Sequence, residues 1–256
     1  MKNKLLAYIP FLRLLSVFVL LSIAGTLSSC GKRAEKEEDG PLLSDGHICA
    51  KVENSSEYSN VAEVKLEGFD FDTYSPVMLA SGDWEDGGFT IALPKTLAPN
   101  YLHPLISGDW LGILAWKTIY YAPLTVIDKL SGITISNENV KLMSAEFWGV
   151  NKDGYSVAVS FSPVKVIDED NYTRAIFTYV DSDVTISGFT GTRNDFGNPP
   201  FEIHNIYSIE WEKGWNVWYL SKSRTIIDGT PILIEQWSTT PVCRLKWYGE
   251  TKPLRL

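Results

Sequence analysis

Two arrangements in this sequence have the residue types and the spacing for chemistry. The first is Leu27-Ser28-Ser29-Cys30 at the end of an apolar run. It has the pattern of a lipobox, in which the cysteine is lipidated through sulfur, the chain is cut just before it and the new amine is acylated. The second is a pair of tryptophans set among polar groups, Trp84 in SGDWEDGG, which reads as a loop, and Trp218 in WNVWYL. An indole buries a large apolar face and keeps a polar N–H handle. Sugar rings present apolar C–H faces, so such a ring beside hydrogen-bonding groups is a carbohydrate-site candidate.

Patterns for catalysis are missing. His47, His103 and His204 are far apart and none belongs to an HxH or HExxH pattern, so no sequence-local zinc site is expected. The acid groups Asp70/Asp72, Asp168/Glu169/Asp170 and Asp181/Asp183 lack the calcium-loop spacing with its glycine and distal glutamate. They read as turn and loop acids. A glycosidase needs two carboxylates across a cleft, and nothing in the sequence pairs particular acids. GxSxG, the phosphate-binding P-loop and GxGxxG are also absent. The expectation is no metal, no cofactor and a non-enzymatic protein, with a hydrolase as the weaker alternative.

The segment that must position Cys30 starts with Lys2, Lys4 and Arg13, continues through the apolar Leu14 to Ala24, and ends in the small residues Gly25, Thr26, Ser28 and Ser29. That is a secretory signal over 1–29, too short and too polar at its end for a bilayer span of about 20 apolar residues. Acyl chains on Cys30 would hold the chain on a membrane, each buried CH₂ contributing about 0.8 kcal/mol. Residues 30–44 read as a solvated, flexible tether. Its Glu35, Glu37, Glu38 and Asp39 resemble the acidic export signal that follows the lipidated cysteine in surface lipoproteins of Bacteroidota. Gly31 carries no aspartate-type retention signal, so the outer membrane, cell-surface side, is expected over its periplasmic face.

Of the 23 basic residues three precede Cys30, and none of the 31 acidic ones does. The remaining chain holds 20 basic against 31 acidic residues, a net charge of −11. Nucleic-acid binding rests on Lys and Arg neutralising phosphates, so nucleic acid is excluded as a partner. Beyond Cys30 only Cys49 and Cys243 remain. Strand alternation sets Cys49 with His47 and Lys51 on a polar face, and Cys243 with Leu245 and Trp247 on an apolar one. That opposes a disulfide between them.

From His47 onward the period is two. In VAEVKLEGF, Ala62, Val64 and Leu66 alternate with Glu63, Lys65 and Glu67, and GGFTIALP repeats the pattern with Phe89, Ile91 and Leu93. With Ile48, Ala50 and Val52 these runs predict a small β-sandwich over 45–98. Residues 99–135 read as a connecting region with one strand from Ile113 to Tyr121. A second, larger antiparallel sandwich or barrel is expected over 136–256. Its first hairpin, VKLMSAEFWGV-NKDG-YSVAVSFS, places Trp148 and Val150 on one core face with Tyr155, Val157, Val159 and Phe161. RAIFTYV and DVTISGF follow. IYSIEW-EKG-WNVWYL then predicts a hairpin with Trp211 opposite Trp215, which would leave Trp218 on the outer face with Glu210, Ser208 and Asn216. ILIEQWS and VCRLKWY complete the set. The fold class is all-β.

VKLEGFD, DGGFTIALP, YVDSDVTISG, WEKGWNVWYL and the closing LKWYG together resemble a family of uncharacterised surface lipoproteins of Bacteroidota. The resemblance covers most of residues 45–250. It implies an Ig-like or transthyretin-like N-terminal module, a second β domain with a GWN hairpin and an LKWY strand, and attachment to outer-membrane lipid. It carries no catalytic residue across. The function expected is a membrane-anchored binding module with a glycan as ligand. A structural or adhesin-like accessory that meets a surface protein partner is the alternative.

Overall fold

Where apolar and polar residues alternate the chain runs extended, and at Asp-Gly pairs it folds back. In the computed structural model, which describes residues 42–70, 73, 75–105, 132–168, 171–194 and 200–251, Asp86-Gly87 and Asp228-Gly229 both take positive φ (49° and 74°, 51° and 80°). That backbone is a two-residue hairpin turn whose twist matches the strands it joins, and glycine enters it without a Cβ penalty. Cys30 and the strand expected from Ile113 to Tyr121 lie outside the described residues.

The described chain is all-β. Its strands are β1 His47–Lys51, β2 Val61–Asp70, β3 Ser75–Glu85, β4 Gly88–Ala92, β5 His103–Pro104, β6 Ile133–Ile135 and β7 Lys141–Asn151. They continue with β8 Ser156–Val166, β9 Tyr172–Val180, β10 Val184–Asn194, β11 Phe201–Trp211, β12 Gly214–Ile227, β13 Thr230–Ser238 and β14 Lys246–Thr251. Single 3-10 turns lie at Ser55–Tyr58 and Pro99–Tyr101. The main path of hydrogen-bonded neighbours is β1-β4-β3-β2-β7-β8-β9-β12-β13-β11-β10-β6, with β14 on β8 and β5 on β7.

Residues 45–98 and 136–256 meet in a ladder between β2 and β7, from Val61↔Asn151 to Gly68↔Ala145. They also share a core. β3 pairs with β2 along Ser75–Asp83 and with β4 only at Trp84 and Glu85, so the chain turns over there. Ile48, Ala50, Phe89 and Ile91 then pack on Phe147, Phe161, Phe177 and Trp247. A second cluster, containing Leu142, Val180, Ile209, Trp211, Trp218, Leu220 and Trp237, draws on the opposite parity of the same strands. Register decides the sides: Phe177 pairs with Val217 and points to the first cluster, while Ile176 pairs with Trp218 and points to the second.

The N-terminal alternation holds except at the start of β2, where a register shift between Val61 and Glu63 buries Val61 and leaves Ala62 half-buried. Ile48, Val52, Val64, Leu66, Phe89, Ile91 and Leu93 are buried, and His47, Cys49 and Lys51 are exposed. Cys49 carries a free thiol. Four expectations are corrected. The hairpin β7–β8 slips register between Trp148 and Val150, so Phe147 rather than Trp148 faces Phe161, and Tyr155 is exposed. β11 and β12 do not pair with each other: β13 lies between them, parallel to β11 and antiparallel to β12. The chain crosses the end of β13 at Glu212 and Lys213, which frees the faces of β11 and β12 from a common parity. VCRLKWY is extended only from Lys246, because Arg244 takes φ 64° in a turn, and Cys243 is exposed rather than on an apolar face. SGDWEDGG is the end of β3 and its turn, not a loop.

Candidate functional site

Pro163 lies inside β8, in SVAVSFSPVKV. Proline has no N–H to give a ladder, and around it the sheet forks. β7 pairs with β9 at Leu142–Ala145 and with β8 from Phe147. β8 reaches β9 only from Val164. Residues of these three strands, with others from β12 and β13, line a cavity of about 270 Å³, among them Pro163, Arg174, Trp218, Lys222, Glu235 and Trp237. Its size lies near the lower end of small-ligand sites, roughly 300–1,000 Å³.

Strand register brings these side chains to one face. Trp218 pairs with Ile176, Leu220 with Arg174 and Trp237, and Lys222 with Tyr172 and Glu235. The aromatic rings form a column. Tyr207 stacks on Trp237 at 5.9 Å and 21°, Trp237 stacks on Trp218 at 5.2 Å and 22°, and Trp211 approaches Trp218 at 6.1 Å. Trp218 Nε1–H donates to Thr178 Oγ1 at 2.9 Å, and Thr178 Oγ1 lies 3.0 Å from Ser144 Oγ. That chain fixes the inner ring. Below the column Lys222 Nζ and Glu235 Oε1 form an ion pair at 3.4 Å, with the glutamate 6 % exposed.

Two donors of the cavity wall have no partner. Trp237 Nε1, on a residue 5 % exposed, and Arg174 Nε are buried without a hydrogen bond. A buried N–H left unmade costs roughly 1–3 kcal/mol, and native structures keep few such groups. Both line the same cavity, which makes an acceptor brought by a ligand the direct remedy.

Burial pushes the Tyr207 hydroxyl up to about 12, with the Glu235 carboxylate adding to the shift and a hydrogen bond to Thr190 opposing it. The folded state therefore keeps the phenol proton at a pH where the unfolded chain, at about 10, has lost it. Stability from this group is whole below about pH 10 and falls as pH rises toward about 12. Tyr207→Phe is expected to flatten the alkaline limb of a stability curve measured by urea melts between pH 9 and 12. An unchanged slope would contradict it.

Of the residues singled out in the sequence, Trp218 alone among those described lines the cavity. It is buried in the second cluster beside Trp211 rather than on a polar face with Glu210, because β13 separates β11 from β12. Trp84 is half-buried and packs on Phe161 at 5.1 Å and Phe89 at 6.5 Å, in the other cluster. His47, His103 and His204 lie on β1, β5 and β11. His204 Nε2 meets Glu202 Oε2 at 2.9 Å. Among the described residues no three His, Cys, Asp or Glu side chains come together as a metal site. Asp181 accepts from Lys141 N–H and Asp183 from Lys213 N–H, and Asp168 accepts from Asn171, so these acids fasten turns. Asp72, Glu169 and Asp170 lie outside the described residues.

Arg174, Lys222, Glu235 and Trp237 are not among the candidates that sequence motifs mark. A signal existed in RAIFTYV and ILIEQWS: period two puts Arg174 on a face with Ile176 and Thr178, and Glu235 on a face with Trp237. A charge on an apolar face is unusual unless it is paired or used. No protein-family model, no curated protein and no solved structure matches the chain.

Proposed function

We propose that this protein is a lipid-anchored, all-β binding protein of the bacterial outer membrane, attached through Cys30, whose ligand is a glycan held at the β7–β8–β9 fork. One observation carries the reading: unpartnered indole and guanidinium N–H donors line the same cavity as a Trp218–Trp237 stack and an ion-paired carboxylate. A sugar offers what such a wall lacks. Its hydroxyls accept from Trp237 and Arg174 and donate to Glu235, at the edge of the aromatic column. The lipobox, the acidic tether and the resemblance to surface lipoproteins support the location.

The test is a glycan array followed by calorimetry, on the full-length chain in a non-glycosidic detergent. Saturable binding that Trp237→Ala abolishes is expected. No binding to any host or plant glycan would remove the proposal.

A second reading is a glycoside hydrolase, favoured by Glu146, Glu235 and Glu250 all lining the cavity. It requires two carboxylates flanking one bond. Release of reducing ends from a bound oligosaccharide, lost in Glu235→Gln, would establish it.

A further inference from the structure

Resting on the reading of the fork as a glycan site, we infer that the sugar it takes is acidic, with a carboxylate anchored by Arg174 and a hydroxyl accepting from Trp237. Arg174 is half-buried and has no anionic partner among the described residues. Lys222 does not share that state, because Glu235 neutralises it at 3.4 Å. Arg174 is thus the cation of the lining without an ion pair among the described residues. Glu146 and Glu250 also line it but are exposed, where water and salt screen their charge.

The geometry of the donors narrows the chemistry. Guanidinium recognises carboxylate through two parallel N–H donors, and such charge-assisted bonds are about twice as strong as neutral ones. The open donor of Arg174 is Nε, which belongs to the side-on edge of that fork. Leu220 separates Arg174 from Trp237 across the sheet by register, Arg174↔Leu220↔Trp237, so the two donors flank one strand. One ligand in the cavity can therefore meet Arg174 through a carboxylate and Trp237 through a second acceptor. A neutral sugar would satisfy them with hydroxyls but would leave the guanidinium charge uncompensated in a partly dry wall, which is unfavourable. The cavity's volume suits a single ring rather than a long chain segment, so the expected unit is one hexuronate, at a chain end or as a free sugar.

The probes are D-galacturonate against D-galactose and D-glucuronate against D-glucose, each pair differing at the carboxylate, with cyclohexanecarboxylate as a ring acid without hydroxyls. Binding is read by calorimetry on the full-length chain in a non-glycosidic detergent. A uronate bound at least about 10-fold more tightly than its neutral partner is expected. Arg174→Gln should weaken the uronate about 10- to 100-fold and leave the neutral sugar within about threefold. Arg174→Lys keeps the charge but not the fork and should not restore binding. Trp237→Phe keeps the ring and loses the N–H, and should weaken uronate several-fold. Equal affinity for acidic and neutral sugars, or a preference that survives Arg174→Gln, would overturn the inference and leave the glycan reading standing. Cyclohexanecarboxylate binding as tightly as uronate would keep the carboxylate anchor and sink the glycan. Binding of none of the five would overturn the inference, and the glycan array then decides the glycan reading separately. Circular dichroism and a urea midpoint on each variant separate lost binding from lost folding, and Trp237→Phe serves if Arg174→Gln does not fold.

Discussion

Trp247→Ala is expected to lower the free energy of unfolding by about 3–5 kcal/mol, the range for removing a buried aromatic side chain. Trp247 is 5 % exposed and stands where the ends of the described chain meet. Its ring lies 5.2 Å from Phe89 on β4, 5.1 Å from Phe147 on β7 and 6.0 Å from Phe177 on β9. The two edge-to-face contacts and the stack exceed plain area burial, by about 0.5–1.5 kcal/mol each. β14 pairs with β8 and is tied to the N-terminal segment at Trp247, whose carbonyl accepts from Glu53 N–H at 2.9 Å, so loss of this ring also loosens the strand that carries it. A urea titration with far-ultraviolet circular dichroism measures the cost. A loss below about 1 kcal/mol would mean that the first cluster is not a packed core. Trp247→Phe, which keeps an aromatic body, should cost markedly less.

Cys30→Ala is expected to move the protein wholly from the membrane fraction to the soluble fraction. The argument is one of transfer energy. An acyl chain of about sixteen carbons contributes on the order of 12 kcal/mol at roughly 0.8 kcal/mol per buried CH₂, and a lipidated cysteine with an acylated amine would carry more than one. The chain charge of −11 after residue 29 opposes adhesion to anionic lipid by itself. Among the described residues no helix is long and apolar enough to cross a membrane. Fractionation of cells followed by a carbonate wash reads the outcome. Retention of Cys30→Ala in the washed membrane would contradict the proposed anchor.

Much of the fold could be read where one face of a strand is buried and the other wet. Ile48, Ala50, Phe89 and Ile91 follow period two without interruption, and the structure buries all four. β3 is not legible in the sequence, because SPVMLASGDWE alternates half-buried and exposed residues without an apolar face. The Asp86-Gly87 turn after it was the available sign. Register failed wherever pairing is not local. The slip at Trp148/Val150 and the insertion of β13 between β11 and β12 each reverse which side a tryptophan faces. Trp218 does not stand on the polar outer face its hairpin reading implies, and lines the cavity for another reason: it is the inner ring of a stack set by β11, β12 and β13. Glu235 and Arg174 could not be joined from sequence, since β9 and β13 are brought to one face only through β12.

The most direct measurement of the proposed site is the set of indole ¹H–¹⁵N resonances of the full-length chain in detergent, titrated with D-galacturonate and D-galactose. The Trp237 Nε1–H signal, assigned through Trp237→Phe, should move with saturation as it gains an acceptor, while Trp84 and Trp247 stay in place. A saturable shift at Trp84 or Trp247 with Trp237 unmoved would put the ligand elsewhere, and no shift at any indole would leave the fork without the role assigned to it.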